Sequence, residues 1–126
     1  MSTTEKAVMT TRQVADRMNE LFKQYNWGAV VEELFDEDAL SIEPAHAQGL
    51  QTVKGVAAIQ EKGKNFQAMV EEMHGGWVSE PQVGGRFITF AMGMDVTLKG
   101  AGRMNMEEIA LYVVKDGKII SEQFFY

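Results

Sequence analysis

The chain has no cysteine, only two prolines and no apolar run near the roughly 20 residues needed to cross a bilayer. Each absence removes a class of function. Without cysteine there is no disulfide, no thiolate nucleophile and no cysteine-held zinc, and the composition agrees with a reducing compartment. Positive charge is scarce as well: 12 Lys and Arg stand against 18 Asp and Glu, for a net charge of −6 and a pI near 4.9. Nucleic acid and anionic membranes are therefore poor candidates for the main partner, since both require clustered basic residues. The densest basic run is only the pair Lys62 and Lys64. The start, Met1 to Lys6, is polar and lacks the apolar centre of a signal peptide. A cytoplasmic protein with one domain spanning 1–126 is expected. Its 45% hydrophobic and 10% aromatic content suffices for one core and at most one internal pocket.

Period and punctuation place the elements. After Thr10 or Thr11 as N-cap, Val14, Met18, Leu21, Phe22 and Tyr25 recur at helical spacing. Asn26 and Gly28 break this first helix. Val30, Val31, Leu34 and Phe35 then predict a shorter second helix that ends at the acidic cluster Asp36, Glu37, Asp38. Residues 39–43 alternate as one short strand before Pro44, and 44–54 read as loop. A third helix follows Gly55, with Ile59, Phe66, Met69, Val70 and Met73 on its buried side. The remainder reads as strands: one around Trp77 and Val78, a turn at Gly84-Gly85, then 86–98, 103–115 and 118–126 as an antiparallel meander. Helices first and strands later is the pattern of an α+β fold with helices on one face of a curved sheet.

The last forty residues carry the most information. Taking Asp116-Gly117 as a two-residue hairpin turn sets Val113 opposite Ile120, Ile109 opposite Phe124 and Glu107 opposite Tyr126. If Lys99 to Gly102 are all loop, Met94 faces Glu107. Ile88, Phe90, Met92, Met94, Val96 and Leu98 follow strict period two, so one apolar face emerges with Glu107 embedded in it. An acid among hydrophobic side chains is costly to desolvate and points to chemistry. Glu122 falls on the same face opposite Leu111, where a cation such as Arg103 or Arg86 would pair with it, and ranks below Glu107 because a one-residue slip would send it outward. The opposite row, with Tyr112, Val114, Ile119 and Phe125, forms a patch costly to expose, which a partner subunit would cover.

In the stretches YNWGAVVEELFDEDALSIEP (25–44), VKGVAAI (53–59) and VKDGKIISEQFFY (114–126), the chain resembles the nuclear transport factor 2-like superfamily, and within it the SnoaL-like members akin to ketosteroid isomerase. The resemblance spans nearly the whole chain. It implies a cystatin-like cone of three N-terminal helices on a curved, mainly antiparallel sheet, with a pocket at the open end and homodimers through the outer sheet face. It also implies cofactor-free acid–base chemistry on a small hydrophobic carbonyl compound. The matching base is Glu43, in SIEP; the matching oxyanion donor is Glu107, in NMEEIALYVV; the terminal aromatic is Tyr126. One departure stands out: where those isomerases use a Tyr on the first helix, Asn19 stands here.

His46, three residues after Glu43, completes the catalytic candidates as an acid or base at the pocket mouth, whereas His74 reads as structural. Asn19, Phe90, Met92, Met94, Ile109, Glu122, Phe124 and Tyr126 are the expected pocket lining. Glu43, His46 and Glu107 show no ligand spacing such as HxH or HExxH, so neither metal nor cofactor is expected. Three readings stay open on sequence alone: an isomerase, cyclase or hydratase; a ligand- or protein-binding dimer without catalysis; and a dimerising module whose cone is filled by Met and Phe.

Overall fold

The computed structural model describes residues 7–126, and the polar start Met1 to Lys6 lies outside the described residues. Thr10 caps α1 (Thr11–Lys23) reciprocally with Gln13, each side chain accepting from the other's backbone N–H. Val14, Met18, Leu21 and Phe22 are buried as their spacing predicts, but Tyr25 lies beyond the helix in a left-handed conformation, 80% exposed. Asn26 caps α2 (Trp27–Leu34), which ends before Phe35.

Three boundaries differ from the expected ones. The acidic cluster Asp36, Glu37, Asp38 belongs to β1 (Phe35–Ile42), not to the end of a helix. Phe35, Ala39 and Ser41 are buried in β1 while Glu37 and Asp38 stay in water, so the acids ride on the solvent side of a strand. β2 (Val53–Lys54) occupies the end of the expected loop and pairs with β1. α3 (Val56–Met69) buries only Ile59 fully. Val70 and Met73, expected on that helix, lie in β3 (Val70–Val78), where Val70 pairs with Leu98 and Met73 with Val96. Pairing with a neighbouring strand overrides the local helical spacing there.

β4 (Gln82–Gly84), β5 (Phe87–Leu98), β6 (Gly102–Lys115) and β7 (Lys118–Phe125) complete a seven-stranded sheet. Its order is β2-β1-β7-β6-β5-β3, with β4 also on β5, and only the β1–β7 pairing is parallel. The three helices pack against this mostly antiparallel, curved sheet in an NTF2-like, cystatin-like arrangement. Phe90 sits at the centre of the core, edge-on to Phe22 at 5.0 Å and to Tyr112 at 6.2 Å.

Two single-residue details set which side chains face the helices. Only Lys99 to Ala101 separate β5 from β6, so Leu98 pairs with Gly102 and Met94 with Met106 instead of Glu107. That slip turns β6 over: Ala110, Tyr112 and Val114 are buried, while Glu107 and Ile109 face out. The Asp116-Gly117 hairpin is present, both residues at positive φ (51° and 76°), and Val114 pairs with Ile119. A register break then leaves Ile120 without a partner, so Val113 meets Ser121, Tyr112 meets Glu122 and Ala110 meets Phe124. The bulge returns Glu122 to the inner face, and Ile119 rather than Ile120 enters the core.

Outside, Trp77 lies across Gly93: a Cβ added there would stand 2.5 Å from the indole nitrogen. Gly93→Ala should lift the half-exposed indole off the strand at a cost of about 1 kcal/mol, because an exposed ring yields more easily than a core residue. A red shift in tryptophan emission with a slightly lower urea midpoint is expected; an unchanged spectrum would contradict the packing.

Candidate active site

β1 presents Ala39 and Ser41 inward at period two, and Glu43 follows just beyond the strand end. The Glu43 amide donates to the Thr52 hydroxyl at 3.0 Å, which fixes the chain at that corner. The parallel β7 sets Glu122 beside Ser41 in register. β6 adds Glu108, opposite Met92 on β5. From above, α3 contributes Lys62, three residues after Ile59 and so on the same helical face.

These side chains converge. The Lys62 ammonium donates to the Ser41 hydroxyl at 2.7 Å and to Glu43 Oε2 at 2.8 Å, and lies 5.6 Å from the centre of the Phe124 ring. The Tyr126 hydroxyl donates to Glu43 Oε1 at 2.7 Å. The Glu43 and Lys62 side chains are only 5% and 12% exposed, so their ion pair is screened from water. No hydrogen-bond partner engages the Glu108 carboxyl among the described residues.

Three carboxyls around one ammonium cannot all ionise cheaply. Burial pushes Glu108 up to about 7, with Glu43 and Glu122 adding repulsion and Lys62 opposing it. Burial likewise pushes Glu122 up to about 7, against the Ser41 hydrogen bond and the Lys62 charge. The Tyr126 hydroxyl is raised by partial burial and by its bond to Glu43, so it remains a donor. The cluster can thus hold and release protons near neutral pH while Glu43 is tied at both oxygens.

The sequence-derived candidates divide. Glu43, Glu122, Phe124 and Tyr126 meet in the cluster; Met92 is buried opposite Glu108, and Met94 is half-buried further along β5. His46 is exposed, its ring edge-on to Tyr126 at 5.7 Å, at the rim. Glu107 is exposed on the outer face opposite Gly93, and Ile109 is 44% exposed opposite Phe125, so neither lines the interior. Asn19 bonds Glu80 at 3.2 Å away from the acids, and Phe90 is a core residue. The cation near Glu122 is Lys62: Arg103 is held in a double hydrogen bond by Asp95, and Arg86 lies over Phe87. His74 touches Glu72 and Thr97. Ser41, Lys62 and Glu108 went unread, although Ser41 shares strand parity with Glu43 and Lys62 shares a helix face with Ile59.

Tyr126 is 42% exposed, whereas Ser41 and Glu122 are buried. Two shallow surface hollows, about 260 Å³ beside Ala29, Glu32 and Glu33 and about 380 Å³ along α1, lie on the helical side and touch none of these residues. Among the described residues no His, Asp or Glu group is arranged to hold a metal ion, and no helix is long and apolar enough to cross a membrane.

Comparison with known proteins adds a frame. A family model described as a SnoaL-like domain matches residues 9–126. A solved protein from Mesorhizobium loti, described as a SnoaL-like polyketide cyclase, is 34% identical, with TM-score 0.86 over 94% of this chain and all of its own. TerC, crystallised with polyporic acid, shares the fold at 17% identity and TM-score 0.72, covering 92% of this chain and 90% of its own. A protein from Catenulispora acidiphila with a ketosteroid isomerase-like fold, solved with trimethylamine, does so at 21% identity and TM-score 0.63, covering 93% and 87%. No curated protein is matched by the chain.

The raised carboxyls make stability depend on pH with a definite sign. Unfolded, Glu122 has the ordinary value of 4.5; folded, it sits at about 7. Below 4.5 both states hold the proton and no stability is lost; between 4.5 and 7 the unfolded state gives its proton up while the folded state keeps it, so stability falls across that window by on the order of 3 kcal/mol and levels off above 7. Glu122→Gln should therefore stabilise the protein at pH 8 and change little at pH 5. Denaturant titrations at both pH values check this, and an unaltered difference between them would contradict it.

Proposed function

The chain belongs to the SnoaL-like domain family, and from that premise we propose that it binds a small hydrophobic carbonyl compound and moves a proton on it without a cofactor, as an isomerase or cyclase. The observation carrying this reading is Glu108: an inward carboxyl opposite Met92, without a hydrogen-bond partner among the described residues and raised to about 7. A base works best when its pKa lies near the working pH and its lone pairs are free, and both conditions favour Glu108 over the tethered Glu43. Glu108 takes a proton from the carbon next to the carbonyl. It returns that proton to another carbon in isomerisation, or to a second carbonyl oxygen after carbon–carbon bond formation in cyclisation. Glu43 holds Lys62 and Tyr126 in place, and His46 stands at the rim.

A second reading is a binding protein without catalysis, favoured by the tethering of Glu43 at both oxygens, which leaves that carboxylate no free lone pair aimed at a guest. Deuterium uptake from heavy water by a panel of enolisable ketones, followed by mass spectrometry, separates the two. Glu108→Gln should slow uptake by about 10²- to 10⁴-fold with the fold retained. Ketone binding with no uptake by the unmodified protein would select the binding reading.

A homodimer through the outer sheet face is supported by Trp77, Phe87, Ile109 and Phe125, each 44–49% exposed on that face. Ile109→Glu should then halve the sedimenting mass without altering the circular dichroism. An unchanged mass would place any dimer contact elsewhere.

A further inference from the structure

We propose that the Lys62 ammonium donates a hydrogen bond to the carbonyl oxygen of the substrate as that oxygen becomes negative in the enolate. This inference rests on the proton-transfer reading and assigns the group that reading leaves unnamed. Removing a proton beside a carbonyl leaves an anionic oxygen, and the interior of the cone is rich in carboxyls that would repel it. Asn19 on α1 is engaged with Glu80, away from the acids.

Among the described residues Lys62 is the cation of the acid cluster. Arg103 is occupied by Asp95, Arg86 lies over Phe87, and Lys118 donates to the Glu33 carbonyl. An ammonium has three N–H donors. Ser41 and Glu43 accept two of them, and the third has no protein acceptor among the described residues. Glu43 and Ser41 fix the head group, which stands over the Phe124 ring at 5.6 Å from its centre. The Tyr126 hydroxyl is spent on Glu43 and the Ser41 hydroxyl on Glu122. The proton goes to Glu108, the negative charge goes to the oxygen, and Lys62 keeps all its protons throughout, so the step needs no other reactant.

Substituted phenols of graded acidity are the probe, since a phenolate resembles an enolate in shape and charge. The unmodified protein should bind the more acidic phenols more tightly and hold them as phenolate, seen by ultraviolet absorbance, at a pH below their ionisation in water. Lys62→Met should weaken phenolate binding at least tenfold more than binding of the matching methyl ethers, and Lys62→Arg should restore part of the preference. Because Lys62→Met alone strands Glu43 in a screened site, the double variant Glu43→Gln/Lys62→Met keeps the charge balanced and should lose the preference equally. Retained phenolate selectivity in the double variant, phenols bound only in neutral form, or no phenol binding at all would overturn the assignment. Glu108→Gln should still bind phenolates, so loss of deuterium uptake in that variant with intact phenolate binding distinguishes the two roles.

Discussion

One charge pair organises the site: Lys62 on the third helix and Glu43 at the end of the first strand, 2.8 Å apart and largely out of water. Neither charge is stable there alone, since removing one partner of a screened pair leaves the other uncompensated. Their attraction ties α3 to the end of β1, and the neighbours fall into place around it. Ser41 accepts a second hydrogen bond from the ammonium, Tyr126 donates to the other carboxylate oxygen, and the ammonium tempers the repulsion felt by Glu108 and Glu122. The apolar core around Phe90 lies deeper and supports this layer without taking part in its chemistry.

Helix starts were readable because they depend on local chemistry. Thr10 caps α1 through its own side chain, and Gly55 before α3 adopts a positive φ of 96° that a residue with a side chain resists; Asn26 reads only as a breaker, yet its side chain caps α2, and Gly28 lies inside that helix. The end of α3 was not readable. Val70 and Met73 continue a helical spacing, and only the hydrogen bonds offered by β5 draw them into a strand. The acids at 36–38 were misplaced for a related reason: a strand with one wet side tolerates them as readily as a helix end does.

Half of the site was legible. Glu43 is marked by the Pro that follows it, and the inward parity of Glu122, Phe124 and Tyr126 came out right because two errors cancelled. A loop one residue shorter than assumed turned β6 over, and the bulge at Ile120 turned the inner row of β7 back. Glu107 had no such rescue, so its neighbour Glu108 holds the interior position. Lys62 was invisible as a functional residue because a lysine on a helix is usually a solvated one. Its burial depends on Ser41 and Glu43, which lie 21 and 19 residues away in the chain.

The sixth strand is ambidextrous. One side carries Ala110, Tyr112 and Val114, the other Ile109, Leu111 and Val113, and an acid stands at the head of each row, Glu108 and Glu107. Its own residues scarcely distinguish front from back, so its orientation is dictated by the short connections at either end. A chain that inserted one residue between Leu98 and Gly102 would offer the interior a carboxyl and an oily row of similar character. Such a near-twin arrangement is the competing fold that these two tight connections exclude.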